Sequence, residues 1–390
     1  MLRTSTIAAL LSVTFAAQAA PATTPLTATQ VLNQMNAVSL TNITATSAGH
    51  VHGRTWAAGS VTGGEYGNQL EKAPASNYAG LTAGSVNSAT DAWGNTNRVT
   101  VNRGGLVSAG SINGVNVNEG TNVVGGAVAN STLNRASQVG GSVSNSTFNG
   151  GAIIGGSASN SSINGGATIA GAVFNTNVNG GSFNNPTADF TTASAAATST
   201  DFKSVLGNLS NSLSQLKSTG STVDFSGSKA TFSAVADTSG VAVFDLTGID
   251  ETLFAANEFD FKLNGATTVI MNTDIKTASI HANFLGGSAR NVGSQVIWNF
   301  YDATSLTISS QFGGAVLATD ALVTNTADIE GGLFANALDL RAQVHVQPFT
   351  GNVDTLSPVP EPSTIMMVMA GLGVLGIGRL RRRDDRFTQA

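Results

Sequence analysis

Apolar and polar positions recur with a fifteen-residue period between Val124 and Asn184. The first, fifth and tenth positions of each repeat are apolar, as in Val124, Val128 and Leu133, and the third is Gly. Two further positions are always Asn, giving the columns Asn130, Asn145, Asn160, Asn175 and Asn134, Asn149, Asn164, Asn179. Short strands joined by turns accept this much Gly, Ser and Asn, whereas a helix does not.

The period predicts a β-solenoid in which each repeat forms one coil. Stacked coils would align the apolar residues in a continuous inner column and the asparagines in hydrogen-bonded ladders. The Asn149-Gly150, Asn164-Gly165 and Asn179-Gly180 pairs predict corners, because both residue types tolerate positive φ. A flexible Gly/Ser/Asn linker is the alternative, and the invariant apolar positions argue against it.

The pattern changes after Pro186, where "TADFTTASAAATST" is predicted to be a bridge. Apolar residues then recur at helical spacing at Phe202, Val205, Leu206, Leu209, Leu213 and Leu216. They predict an amphipathic helix that lies along the solenoid, with partner binding as the alternative. Longer apolar strands follow, at Thr267 to Met271, Gln295 to Phe300, Ser305 to Ile308, Ala315 to Leu317 and Gln343 to Val346. We expect them to form more coils of the same or an adjoining β-helix.

Both ends of the chain carry targeting patterns. Arg3, an apolar stretch and Ala17-Gln18-Ala19 predict a signal peptide cleaved after Ala19, with a short buried helix as the alternative. At the other end, Val359-Pro360-Glu361-Pro362 precedes an apolar run from Ile365 to Gly378. An arginine cluster follows, containing Arg381, Arg382 and Arg383. The apolar run is short for a mature membrane span, which needs about 20 residues.

This C-terminal order resembles the PEP-CTERM sorting signal of Gram-negative bacteria, which exosortase-type enzymes recognise. The resemblance implies that the apolar helix inserts transiently in the inner membrane while cleavage occurs near the Pro-Glu-Pro motif. The mature protein would then reach the cell surface or the extracellular matrix. A permanent membrane anchor is the alternative reading of the same tail.

Composition narrows the functions that the chain can perform. Charged residues make up only 11%, the net charge is −5, and there is no Cys. We therefore expect no nucleic-acid partner, disulfide or thiolate metal site. The repeat block carries almost no titratable groups, and the chain shows no nucleophile elbow, P-loop or dinucleotide fingerprint. We expect a protein that is not an enzyme, without catalytic residues or cofactors.

Two groups of side chains are candidate metal ligands, and each has a simpler explanation. His50 and His52 would share one face of a strand, but no third ligand is evident, so a polar strand face is favoured over a metal site. A second group could attract calcium, but its spacing fits no known loop, and a solvated acidic loop is favoured. Its members are Asp245, Asp250, Glu251, Glu258 and Asp260.

Three segments, "VIWNFYDATSLTI", "GGAVLATDALVTNTADIEGGLFANAL" and "VHVQPFTG", resemble the closing part of the choice-of-anchor A family. That family is similar to ice-binding-like adhesive β-helix domains, and "AVSLTNITATSAGHVHGRTWAAGSV" resembles its opening. The resemblance implies a right-handed β-helix with a helix alongside, and an adhesive or matrix role. His50, His52 and Gln343 stand where the family often has acidic residues, and Thr319 stands where it often has Pro.

The sequence thus predicts a mainly β protein with six regions. They are a signal peptide (1–19), a lead-in (20–30), a solenoid with fifteen-residue repeats (31–186), a linker and amphipathic helix (187–220), further coils of the same adhesive-like domain (221–352) and a sorting signal (353–390).

The leading functional hypothesis is an exported structural or adhesive protein of biofilm or envelope, with exopolysaccharide or other surface proteins as partners. The alternative is a module that binds ice or polysaccharide through a stripe of hydroxyls at Ser131-Thr132, Ser146-Thr147 and Ser161-Ser162, which Asn177 interrupts. A polysaccharide-cleaving β-helix is a third hypothesis, which would need paired acids in a cleft.

Overall fold

A computed structural model describes residues 24–90, 94–181, 183 and 186–356. Most of this chain forms short parallel strands that stack as a solenoid with three faces. Face one carries the first strand of each coil, face two the second and face three the third. The prediction of a mainly β solenoid with helix packed alongside is confirmed.

The N-terminal half contains the repeat coils. Its strands on face one are Met35–Ser39, Leu106–Ser108, Asn122–Val124, Ser137–Val139, Ala152–Ile154 and Ala167–Ile169. The strands on face two are Ile43–Ala45, Ile112–Asn113, Val128–Ala129, Val143–Ser144, Ala158–Ser159 and Val173–Phe174. The strands on face three are His50–Val51, Glu65–Tyr66, Val99–Val101, Val115–Val117, Thr132–Leu133, Thr147–Phe148, Ser162–Asn164 and Asn177–Asn179. Arg54–Thr62 and Leu81–Asn87 bend at a corner and serve faces one and two. A small antiparallel hairpin, Ala89–Thr90 with Thr96–Asn97, projects from a corner.

The C-terminal half continues the same three faces. Its strands on face one are Val241–Asp245, Thr268–Thr273 and Val296–Phe300, and those on face two are Thr277–Ile280 and Ser305–Ile308. Two longer strands, Ala315–Asn325 and Leu333–Leu340, serve faces one and two. The strands on face three are Lys229–Ser233, Glu258–Lys262, Asn283–Phe284, Phe312–Gly313, Ile329–Glu330 and Gln343–His345. Thr222–Ser226 pairs antiparallel with Lys229–Ser233. The predicted strands are therefore present, and the strand that begins at Ala315 continues around a corner.

The two halves join where the first and last strands of the solenoid meet. Met35–Ser39 lies between Arg54–Thr62 and Leu333–Leu340, in parallel register with both. On face three, His50 pairs with Gln343. We call this junction the seam. The chain thus starts in the middle of the solenoid, builds one half, and returns to build the other half toward its own beginning.

Five helices accompany the strands of the described chain, and the first three cover face one. The helices are α1 (Ala28–Gln34), α2 (Thr187–Ser199), α3 (Phe202–Ser214), α4 (Asp250–Phe254) and α5 (Ser288–Val292), with 3-10 turns at Leu70–Lys72 and Leu285–Gly287. Helix α3 begins at the cap Asp201, whose carboxylate accepts from Ser204 N at 3.0 Å. Its apolar stripe packs on outward side chains of face one such as Ile270 and Ile297. Within the described ranges, helices long and apolar enough to cross a membrane are absent.

The segment predicted as a bridge is a helix instead. Residues 187–199 form α2, which packs Phe190 and Ala196 into the fold. Ala and Thr are spread evenly around this helix, so the sequence shows no apolar stripe. The surface of face one, rather than a periodic pattern, therefore accounts for its helical structure.

Candidate functional site

Face two of the solenoid is a long surface that the helices leave exposed. Parallel register aligns one outward position from each coil in a continuous column, which we call the hydroxyl column. Its members are Ser279, Thr307, Thr324, Asp339, Thr44, Thr62, Asn87, Asn113, Ala129, Ser144, Ser159 and Phe174. Neighbouring strands lie about 4.8 Å apart, so the column extends for about 50 Å. It crosses the seam without interruption.

Most side chains of this column are small and extend only a short distance from the backbone. Most members directly follow a buried residue, and some lie between two, as Thr307 does between Leu306 and Ile308. A second outward position, two residues earlier in the coil, carries serines whose hydroxyls accept backbone N–H groups of the next coil, as Ser142 Oγ does from Ser157 N at 3.1 Å. The face therefore presents regular hydroxyl, amide and backbone groups with few charges.

Face three of the N-terminal half carries an asparagine ladder. Each side-chain amide after the first donates to the amide oxygen of the Asn in the preceding coil, at distances between 2.7 and 3.4 Å. The ladder comprises Asn68, Asn102, Asn118, Asn134, Asn149, Asn164 and Asn179. The first three members lie before the regular repeats, where irregular spacing conceals them in the sequence. Shared amide bonds hold these exposed side chains in fixed positions.

The second asparagine column has a different structural role. Asn130, Asn145, Asn160 and Asn175 all adopt the left-handed conformation, with φ between 44° and 51°. Asn tolerates this conformation better than other residues with a side chain, so these positions turn the corner between faces two and three. Side-chain bonds join Asn175 to Asn160 and Asn130 to Asn113, both at 2.8 Å. The feature that all four residues of this column share is their backbone conformation.

Two of the three predicted Asn-Gly corners are confirmed, at Gly165 and Gly180, whereas the corner predicted at Asn149-Gly150 lies one residue later. Positive φ falls on the glycines Gly151, Gly165 and Gly180, and the asparagines before them belong to the ladder. The repeat glycines serve close packing instead. A Cβ at Gly141 would lie 2.7 Å from the backbone carbon of Gly126 in the neighbouring coil.

Half of the predicted hydroxyl stripe lies inside the solenoid. Ser131, Ser146 and Ser161 are buried, and each donates to the carbonyl two residues earlier in its own coil. Ser146 Oγ also accepts from Ser131 N at 3.1 Å. These hydroxyls satisfy polar backbone groups in the core. The outward partners Thr132, Thr147 and Ser162 do stack on face three, and Asn177 follows them, so the predicted stripe is correct for one residue of each pair and wrong for the buried serines.

A cluster of polar side chains occupies face three at the seam, centred on Glu330. This carboxylate is almost fully buried, and four side chains donate to it. Oε1 accepts from Arg290 Nε at 3.0 Å, Gln311 Nε2 at 2.9 Å and His345 Nδ1 at 2.8 Å, while Oε2 accepts from Gln347 Nε2 at 2.9 Å. Burial acts to raise the pKa of Glu330, but the hydrogen bonds and charges of His345 and Arg290 outweigh it and lower that pKa.

Two histidines from opposite halves stack at the seam. The rings of His52 and His345 lie 4.7 Å apart, and Nε2 of each contacts Gln343 Oε1, at 3.1 and 3.2 Å. Burial lowers the pKa of His52, and the charge of His345 lowers it further. His50 points elsewhere, with Nε2 at 3.1 Å from Ser47 O. His52 and Gln343, two of the positions that depart from the family pattern, therefore meet at one place.

The acidic residues considered for calcium are separated by the fold. Asp250 is buried at the start of α4 and accepts from Thr273 Oγ1 at 2.7 Å, so it does not lie in a solvated loop. Asp260 forms an ion pair with Lys229 at 3.7 Å. Across the described residues, a group of three or more His, Asp or Glu side chains that could hold a metal is absent. The signal peptide (1–19) and the tail residues Val359 to Arg383 lie outside the described chain.

Comparison with known families identifies two family models that match this chain. The family model described as "Putative Ice-binding-like adhesive domain" matches residues 28–346, most of the chain. The chain belongs to this adhesive family. The model of the PEP-CTERM protein-sorting motif matches residues 358–383. Neither the curated proteins nor the solved structures contain a match.

Membership of the ice-binding-like adhesive family and the sorting motif together support an exported surface adhesive protein. The sorting motif implies processing by an exosortase-type system and a location in the cell envelope or at the surface. An adhesive domain also suggests a role other than catalysis.

Proposed function

We propose that this protein contributes to biofilm or envelope architecture in a Gram-negative bacterium, by adhering through the exposed faces of its solenoid. An exosortase-type enzyme cleaves near Pro360-Glu361-Pro362 and leaves the mature solenoid at the surface or in the extracellular matrix. Its targets are exopolysaccharide or other surface proteins. The hydroxyl column carries this proposal, because it is a continuous small-residue surface that spans both halves.

Many weak contacts suit this surface better than one tight pocket. A repeating polymer can contact successive coils at once, and linked weak contacts give high overall avidity. The side chains of the asparagine ladder are already fixed by their neighbours, so binding costs them little conformational entropy.

The adhesive role is tested by deleting the gene while the sorting system stays intact. We expect weaker surface attachment and an altered matrix composition. Unchanged attachment and matrix in the deletion strain would refute the proposal.

The assignment of face two is tested by variants in the deletion strain. Ser144→Lys with Ser159→Lys places long charged side chains in the hydroxyl column. Gln138→Lys with Thr168→Lys is the control, because these exposed residues lie on face one of the same repeat block, with one coil between them. We expect the first pair to reduce attachment and the second to retain it. Equal attachment by both variants would exclude face two as the adhesive surface.

Ice binding is a second candidate, favoured by the regular spacing of the hydroxyl column. Its uniformity is broken by Asp339, by two asparagines and by Phe174, whereas an ordered crystal surface requires a repeated pattern. A thermal-hysteresis or recrystallisation assay on the mature protein distinguishes the two candidates. The absence of any effect on ice growth at high protein concentration would remove this candidate.

A further inference from the structure

A cleft of about 290 Å³ opens on face three beside the Glu330 cluster. Its walls come from both halves of the solenoid. His52, Gln69 and Lys72 contribute from the N-terminal half, and Arg290, His345 and Gln347 from the C-terminal half. The cleft therefore exists only because the two halves meet at the seam.

The one carboxylate among the cleft residues is already saturated. An ionised carboxylate offers about four acceptor positions, and Glu330 receives four side-chain donors. Its role is to hold Arg290, His345 and Gln347 in place, so Glu330 is a positioning residue. The acceptor capacity of the cleft is largely used, whereas donors and positive charge remain.

The two strong cations of the cleft retain unused donors. Arg290 contacts Glu330 through Nε, which leaves its two terminal nitrogens available to a ligand. Within the described part of the chain, Lys72 Nζ donates to the neutral amide oxygen of Gln69 alone, although an ammonium has three donors. The backbone fixes this turn at the cleft, because Gln69 N donates to His52 O at 3.0 Å.

The histidines form a fixed wall of the cleft. Nδ1 of His345 meets a carboxylate oxygen, and its Nε2 meets the amide oxygen of Gln343. Both ring nitrogens are therefore engaged, and the ring is fixed in position. Burial lowers the pKa of His52, and the charges of His345, His50 and Lys72 lower it further.

We propose that this cleft binds the carboxylate of an acidic sugar, with Lys72 and Arg290 contacting it from the two sides of the seam. The guanidinium supplies planar paired donors that match a carboxylate, and Lys72 supplies a point charge. The proposal rests on the adhesive function proposed above and names the chemistry of its target as a polysaccharide that contains uronic acid. Neighbouring sugars of the polymer would lie over face three.

The proposal is tested by calorimetry or NMR titration of the mature protein with a short uronic-acid oligosaccharide. The neutral oligosaccharide of equal length and inorganic phosphate are the comparison ligands. We expect binding of the uronic-acid compound in preference to both. Equal binding of the neutral compound, or displacement of the acidic one by an equal concentration of phosphate, would overturn the assignment to an acidic sugar.

Variants locate the binding. Loss of one charge-assisted contact should weaken binding about tenfold. We expect this loss in Lys72→Gln, which leaves the Glu330 contacts intact, and in Arg290→Gln. Lys276→Gln is the matched control, because Lys276 is an exposed lysine paired with Asp302 outside the cleft. Wild-type affinity in Lys72→Gln, or an equal loss in Lys276→Gln, would contradict the proposal. Either result would leave the attachment experiments on face two unaffected.

Discussion

In the N-terminal half, Ser137 pairs with Ala152 fifteen residues later, whereas in the C-terminal half Val241 pairs with Thr268 after 27 residues. The repeat coils are filled by aliphatic side chains and Phe148. The longer coils enclose an aromatic cluster in which Trp298 contacts Phe232, Phe259 and Phe312. Both halves nevertheless keep the parallel register of all three faces. Strand register, rather than coil length, therefore defines this fold.

The two halves also differ in how far each interaction reaches. Apart from the contact of helix α2 with Asn122–Val124, a repeat coil packs mainly on the coils on either side, so its stability is approximately a sum of neighbouring terms. The aromatic cluster joins strands from several coils at a single centre. We expect the C-terminal half to unfold as one unit and the repeat half to open from its end.

Truncation of Trp298 should give the largest effect. Trp298→Ala removes the centre of the aromatic cluster and the hydrogen bond from Nε1 to Gly313 O at 2.9 Å. We expect the free energy of unfolding to fall by about 3–5 kcal/mol, measured by urea denaturation. Ile163→Ala in the repeat half is the comparison, and hydrogen exchange should show its effect confined to adjacent coils. If Ile163→Ala lowered hydrogen-exchange protection throughout the C-terminal half, the effect of a repeat residue would not be limited to adjacent coils, and the contrast between the two halves would be wrong.

Removal of an internal hydroxyl should have the next largest effect. Ser146→Ala leaves the buried N–H of Ser131 without its acceptor, so we expect a loss of about 1–3 kcal/mol. Thr147→Ala alters the adjacent outward residue and should change stability by less than about 0.5 kcal/mol. Thermal unfolding of both variants makes the comparison. Equal stability of the two would show that the buried serines do not support the repeat half.

The corner asparagines should show a smaller effect that depends on the backbone. In Asn145→Ala, a residue that disfavours positive φ must adopt φ near 50°. We expect this to lower the free energy of unfolding by about 1–2 kcal/mol. Asn145→Gly should retain most of the stability, because Gly adopts positive φ without steric cost. If Asn145→Gly were as destabilised as Asn145→Ala in urea titrations, the side chain rather than the backbone would be the source of the effect.

Acidification should weaken the seam between the halves gradually, which is the smallest change expected. The folded protein lowers the pKa of His52 below 6.5, so the unfolded chain binds its proton more readily. Stability from this residue is complete above pH 6.5 and is lost as pH falls below it. Glu330 adds a second loss below its ordinary pKa of 4.5, because its pKa is also lowered.

The pH dependence is measured as the unfolding midpoint between neutral and acidic pH. His52→Gln should remove the upper part of the decline and leave the part due to Glu330. A pH profile identical to that of the wild type would show that His52 does not contribute.

Sequence alone predicts the regions where one physical rule applies repeatedly. The fifteen-residue period indicates the solenoid, and the Leu206, Leu209 and Leu213 stripe indicates α3. It does not indicate that Met35–Ser39 pairs with Leu333–Leu340, because strands of similar apolar composition pair equally well at many positions. The sequence also does not predict the Glu330 cluster, because its members lie on separate strands and loops that only the fold brings together. The local signal is weak, a lone Glu in an apolar strand beside Gly331-Gly332.

The position of the seam determines how the solenoid can be attached to a surface. Residues after the last strand return to helix α1, where Val353 N donates to Thr29 Oγ1 at 2.9 Å and Thr29 N donates to Asp354 Oδ1 at 2.9 Å. The described chain therefore ends at Leu356 on the flank, near the middle of the long axis. A covalent link made just beyond Leu356 would leave both tips of the molecule unattached, and each tip could reach a separate neighbour.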